Sequence, residues 1–399
     1  MVSLLKISLL LTVFALPLIS PFNAFGYEKA KVIVFLFLNS FNLLLWVLAL
    51  WKYPKKIKIK WNNLKLAGLV FIIILFIASL SGVDLLTSLV GREPYFQGWV
   101  VYSYLFTFYL MVSSIKIPLK NWATVLITSA TIVSLIAIKD WLLVFLLNIN
   151  LATYAGRVGS TFGQPNFYAG FLLLALPFLT FLKINKLAKI LAALILGTGI
   201  ILSGSRIAIL FLPFLLYFWL VISLKINFKK AIKVLGIVIT LLIIATGIYL
   251  LPRYLEDSFG KTKNWYDSYS PERREYIWLE SINLIKEKFV LGYGLENLAT
   301  VFGKNLKPEI PNGFPTHILN DIKNLTVNRT HNYLLDLAIF SGIGGVISYL
   351  VILWLIFKRA SQKLLLIPLI IYLIWVQFQN QSIVHLLYFW LLVGLIDSD

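Results

Sequence analysis

The chain has 399 residues, 59% of them hydrophobic and 13% charged, with a mean hydropathy of +0.86 and a formal net charge of +19. So much apolar surface exceeds what a soluble core can hide, which excludes an ordinary soluble domain and points to an integral membrane protein. With no cysteine, disulfides, a thiol nucleophile and thiolate metal sites are excluded too.

A hydrocarbon layer about 30 Å thick needs roughly 20 apolar helical residues per crossing. Such runs recur, in chain order, near residues 3–20, 31–51, 64–83, 98–115, 121–139, 165–183, 187–203, 205–224, 232–251, 332–357, 364–379 and 382–396. They predict an all-α integral membrane protein of about 12 transmembrane helices, or about 11 because the last two runs are short. Residues 3–20 also have the outline of a signal peptide, with Lys6 ahead of an apolar core, but removing that span upsets the alternation of charge described next.

The loops at 52–65, 116–120, 183–189, 225–233 and 358–363 hold 18 Lys or Arg and no Asp or Glu, and the alternation puts all five on one side. By the positive-inside rule that side is cytoplasmic, so the expectation is a multi-pass inner (cytoplasmic) membrane protein with both termini inside. The positive charge then faces anionic membrane lipid, and no nucleic-acid partner is expected of Lys52, Lys55, Lys56, Lys58 or Lys60. Trp141 to Leu151, beyond the fifth span, is too short to cross and reads as an interfacial stretch.

The same count divides the chain into spans 1–9 over residues 1–251, a long external loop over 252–331, and spans 10–12 over 332–399. From Pro252 to Arg329 the loop is nearly neutral, with 11 Lys or Arg against 10 Asp or Glu. It contains a helix signal: Ser270 as cap, Pro271 at the first position, Trp278, Ile282, Ile285 and Phe289 recurring on one face, then Gly292 and Gly294 as stops.

Three outward-starting spans open on polar, basic stretches: Arg157 to Asn166, Ser203-Gly-Ser-Arg206, and Arg329-Thr-His-Asn332. Helix starts offer unpaired N–H groups and a positive dipole end, and a guanidinium pairs bidentately with phosphate oxygens, so each is a candidate anion corner. Arg274, one turn before Trp278, shares its face, whereas Arg273 points toward Glu280. Arginines near span ends also snorkel to headgroups, the simplest account of Arg92 and Arg253. His331, expected in the first turn of the tenth span, is the candidate general base, because a helix N-terminus keeps the imidazole neutral. His317 reads as solvated and His385 as a buried, satisfied residue. The carboxylates of the external side show no paired metal-ligand spacing such as Asp-x-Asp, and neither a Walker A loop nor a dinucleotide fingerprint occurs, so neither a metal nor another cofactor is expected.

These stretches, in this order, resemble the O-antigen ligase and Wzy-type O-antigen polymerase superfamily of bacterial envelope glycosyltransferases. The resemblance rests on Gly159 to Asn166 with Ala169 and Pro177, Ser203 to Arg206, Arg274-x-x-x-Trp278 with Leu291-Gly-Tyr-Gly294, and His331-Asn-Tyr-Leu with Gly342 and Gly345. It implies a GT-C-like enzyme that takes a glycan from undecaprenyl pyrophosphate outside the cytoplasmic membrane and transfers it, inverting and without a metal, to an acceptor hydroxyl. The acceptor is the lipid A core in ligases and another lipid-linked repeat unit in polymerases. On this reading Arg157, Arg206 and Arg274 bind the pyrophosphate in a shared cavity, and His331 activates or positions the acceptor. Arg329, Asn166, Glu275, Asn332 and Trp278 line the substrate, with Glu275 or Asp321 as substitute bases. A lipid-linked glycan flippase is the rival class, but it calls for charges deep in the bundle rather than at its outer ends.

Overall fold

In a computed structural model the described residues are 1–21, 26–55, 57–147, 149, 157–224, 230, 233, 236, 270–302, 327–361 and 363–398. Among them every regular element is helical. Four helices are long and apolar enough to cross a membrane: Tyr27–Lys52 (α2), Asn63–Leu80 (α3), Leu119–Leu147 (α6) and Tyr333–Arg359 (α12). The other expected crossings are shorter helices, and the ninth, at 232–251, lies outside the described residues apart from 233 and 236.

One compact unit gathers Met1–Thr12, Pro21–Ile117 and Ser270–Asp399. It contains most of Val2–Ala15 (α1), then α2, α3, Leu85–Val90 (α4), Trp99–Ser114 (α5), Ser270–Glu287 (α10), Leu298–Val301 (α11), α12, Leu366–Trp375 (α13) and Ile383–Ser398 (α14). At its centre is α14, buried on all sides from Ile383 to Asp397. A helix apolar all round has no solvent face to offer, and α14 is enclosed by α5, α12, α13 and α2. Trp390 packs edge-on to Phe106 and Phe389, at 6.1 and 5.7 Å between ring centres.

The second unit, Val13–Ser20 with Pro118–Tyr269, holds α6, Pro165–Ala175 (α7), Lys186–Leu202 (α8) and Arg206–Leu224 (α9). Helix α6 runs unbroken to Leu147, so Trp141 to Leu147 continue the fifth span instead of forming a separate interfacial stretch. The cause is local: nothing before Asn148 breaks the helix, and Trp141 stacks on Phe145 one turn later at 4.9 Å. Pro177 ends α7 by denying the ladder a donor, and the chain tightens into a 3₁₀ helix over Leu176–Phe181. Polar caps start several helices; Asn62, Gln164, Asn185 and Asn332 each accept from the backbone N–H three residues on.

Candidate active site

In the first unit the polypeptide from Arg329 to Asn332 forms a turn pinned at almost every residue. Thr330 N donates to Asp336 Oδ1 at 2.7 Å, Thr330 Oγ1 donates to Asn332 O at 2.8 Å, and Asn332 Oδ1 caps α12 by accepting from Leu335 N at 3.1 Å. Tyr333 N reaches Val376 O at 2.9 Å, and Trp278 Nε1 of α10 donates to Thr330 O at 2.8 Å. These bonds hold His331 in the left-handed region at φ 61°, a backbone cost of about 1–3 kcal/mol for a residue with a Cβ.

His331 therefore lies before the N-cap Asn332 and outside the helix, not in its first turn as expected. The left-handed residue turns the chain into the cap, which no periodicity registers. Burial, and then the charge of Arg274, hold its imidazole down to about 4, so the ring is neutral at physiological pH. The expected neutrality is present, but burial and a neighbouring cation produce it. His331 Nδ1 has no hydrogen-bond partner among the described residues.

Arg274 Nη1 donates to Phe378 O, just past α13, at 2.9 Å. Burial lowers its pKa, no carboxylate among the described residues pairs with it, and a guanidinium keeps its proton at neutral pH. A cation that no carboxylate among the described residues pairs with thus stands beside a neutral base.

Arg329 is differently committed. It is 5% exposed, forms an ion pair with Glu296, donates to Gln97 Oε1 at 3.1 Å, and has the rings of Tyr95 and Phe340 at 5.0 and 4.9 Å. Burial pushes the Glu296 carboxyl up to about 7 against the opposing pull of Arg329. Glu296 also stands at a positive φ of 63°. Sequence reasoning missed Glu296 and Gln97. Glu296 had a faint signal, following Gly292-Tyr-Gly294-Leu, whereas nothing in the sequence marked Gln97.

A break in α12 fastens this layer. Gly342 has φ 62° and ψ −164°, which interrupts the helix ladder. The backbone groups so released pair with the turn after α10: Tyr293 N to Ile339 O at 2.8 Å, Gly294 N to Phe340 O at 3.0 Å, and Ile343 N to Phe289 O at 2.8 Å. A Cβ on Gly342 would stand 2.1 Å from Val290 O, and one on Gly292 would stand 2.5 Å from Ile339 O. Only glycine permits such contact. On α10 the face against the bundle carries Ile277, Ser281 and Leu284, all buried. Of the predicted stripe, Ile282 and Phe289 are exposed. An apolar pattern beside a membrane cannot distinguish a protein-facing side from a lipid-facing one.

In the second unit, Arg157 joins two of the sequence motifs. Its Nε donates to Ser203 O at 2.9 Å and its Nη2 to Asn166 Oδ1 at 2.8 Å. The loop between them is tied down by Ser160 Oγ to Val133 O at 2.7 Å and Thr161 Oγ1 to Pro17 O at 2.6 Å. Gly204, at φ 60°, turns the chain from α8 to α9, and Arg206 stands exposed as the first residue of α9.

His385 is buried, as expected, and its Nδ1 accepts from Ser382 N at 3.0 Å. Arg253, His317 and Asp321 lie outside the described residues, as do the side chains of Arg273 and Glu275.

Residues 191–350 match the family model Wzy_C, O-Antigen ligase. This segment is similar to the O-antigen ligase/Wzy-type family. The matched segment spans Ser203 to Arg206, α10 with its glycine turn, His331 and Gly342, while the Arg157 to Asn166 stretch precedes it. The match covers less than half of the chain. No curated protein matches the chain.

Proposed function

We propose that this O-antigen ligase/Wzy-type protein transfers a glycan from undecaprenyl pyrophosphate to an acceptor hydroxyl on the external face of the inner membrane, inverting and without a metal. We read it as GT-C-like, with about 12 crossings and both termini on the lysine-rich side. The observation that carries the chemistry is His331 Nδ1: a buried, neutral nitrogen with no partner among the described residues, next to the charge of Arg274. In the reaction the acceptor oxygen forms a bond to the sugar C1 as the C1–O bond to pyrophosphate breaks, and the acceptor proton passes to His331. Undecaprenyl pyrophosphate leaves with the bonding pair. Arg274 supplies guanidinium charge to it, a role worth several kcal/mol in comparable preorganised sites. Trp278 and Asn332 hold the His331 turn, and the Arg329–Glu296 pair anchors it from behind. Asn166 orients Arg157, and Glu275 is proposed as a substrate-binding residue.

The acceptor we favour is the lipid A core. Purified protein in liposomes, given lipid-linked glycan with either lipid A core or further lipid-linked repeats, tests this. Ligation predicts a product on lipid A core with release of undecaprenyl pyrophosphate. Lengthening of the lipid-linked glycan alone would make the chain a polymerase, and relocation of intact donor would make it a flippase.

A further inference from the structure

The opposite end of the first unit carries a second feature, built from α3, α12, the loop before α3 and the chain's end. A cavity of about 730 Å³ is lined by seven basic side chains and one carboxylate. The carboxylate, Asp397, is already satisfied: it pairs with buried Lys65, with Arg359 Nε at 3.3 Å, and accepts from Asn62 Nδ2 at 2.8 Å and Tyr109 OH at 3.0 Å. The surplus is Lys6, Lys55, Lys58, Lys60 and Lys116, none paired with a carboxylate among the described residues.

From this cavity shared lining residues lead into apolar territory. Asn62 and Arg359 line both it and a neck of about 420 Å³, and Asn63 and Leu355 line both the neck and a groove of about 540 Å³ between α3 and α12. The groove wall is Leu66, Ala67, Val70 and Ile74 on α3, facing Ile347 and Val351 on α12, each set at helical spacing. From Asn63 to Ile74 the rise is about 16 Å, half of a hydrocarbon core of about 30 Å.

We infer that this is a binding site for one anionic glycerophospholipid of the lysine-side leaflet, its phosphate in the basic cavity and one acyl chain in the groove between α3 and α12. Charge selects the headgroup, and the groove's length matches a chain confined to one leaflet, whereas a polyprenyl chain would overrun it. The lysines carry the selectivity among headgroups, and the groove adds shape-dependent packing against one acyl chain that a free phosphate lacks. The site is independent of the transfer reaction.

Thermal unfolding of the full chain in detergent tests this. Phosphatidylglycerol should raise Tm more than phosphatidylcholine does, and Lys58→Gln with Lys60→Gln and Lys116→Gln, all exposed, should weaken its apparent affinity by about tenfold to a hundredfold. Val70→Trp, which fills the groove from an exposed position, should weaken phosphatidylglycerol while leaving glycerol phosphate unaffected. Equal effects of the two lipids would overturn the inference, as would glycerol phosphate or inorganic phosphate matching the lipid. So would an equal loss in a Lys186→Gln, Lys189→Gln control, which would make the attraction diffuse, or tighter binding of a polyprenyl phosphate.

Discussion

His331 combines a left-handed backbone, burial and a cationic neighbour, and each has a measurable consequence. His331→Ala should lower kcat for glycan transfer by about 10²–10⁴-fold with donor binding largely retained. The pH profile follows from the sign of the shift. A base whose pKa is held at about 4 is deprotonated above that value, so kcat/KM should be flat through neutrality and fall only as the pH drops toward 4. An acid limb near the ordinary histidine value of about 6.5 would count against the assignment. Arg274 has a fork that meets a pyrophosphate at two oxygens, so Arg274→Lys, which keeps the charge and loses the fork, should cost at least about tenfold in kcat/KM.

At the scale of elements, the broken helix α12 and the glycine turn after α10 form one device. The kink frees Ile339 O, Phe340 O and Ile343 N, and the turn supplies their partners, so backbone hydrogen bonds fasten the turn after α10 to α12. Gly342→Ala would force a Cβ against Val290 O at 2.1 Å and remove the left-handed allowance together. We expect a loss of about 2–4 kcal/mol, read as a lowered melting temperature, with release of α10 seen as faster amide exchange in Tyr293 and Gly294. By contrast Gly344, whose Cβ would meet only Ile74 Cγ2 at 3.6 Å, should accept alanine with little change.

For the whole molecule, orientation is the property to test, and the absence of cysteine makes the test clean. Single cysteines at Lys58 or Lys116 should react with a membrane-impermeant maleimide only after the cells are opened, whereas one at the exposed Arg206 should react in intact spheroplasts. The reverse pattern would invert the topology. The lipid site at the lysine-rich end adds a second consequence, because anionic lipid should stabilise the fold from the side opposite the chemistry.

Much of this was legible in residue order alone. Hydropathy and lysine placement fixed the membrane class and the expected orientation, because the bilayer imposes span length and charge bias on every segment separately. Ser270 and Pro271, then Gly292 and Gly294, marked the ends of the loop helix, because caps and stops are local. Tertiary structure alone decided that His331 precedes its helix, that α10 buries Ile277, Ser281 and Leu284, and that Arg329 is held by Glu296 and Gln97. Those outcomes depend on which surfaces distant segments offer one another, on neighbours far away in sequence, and no periodicity or spacing within one segment encodes them.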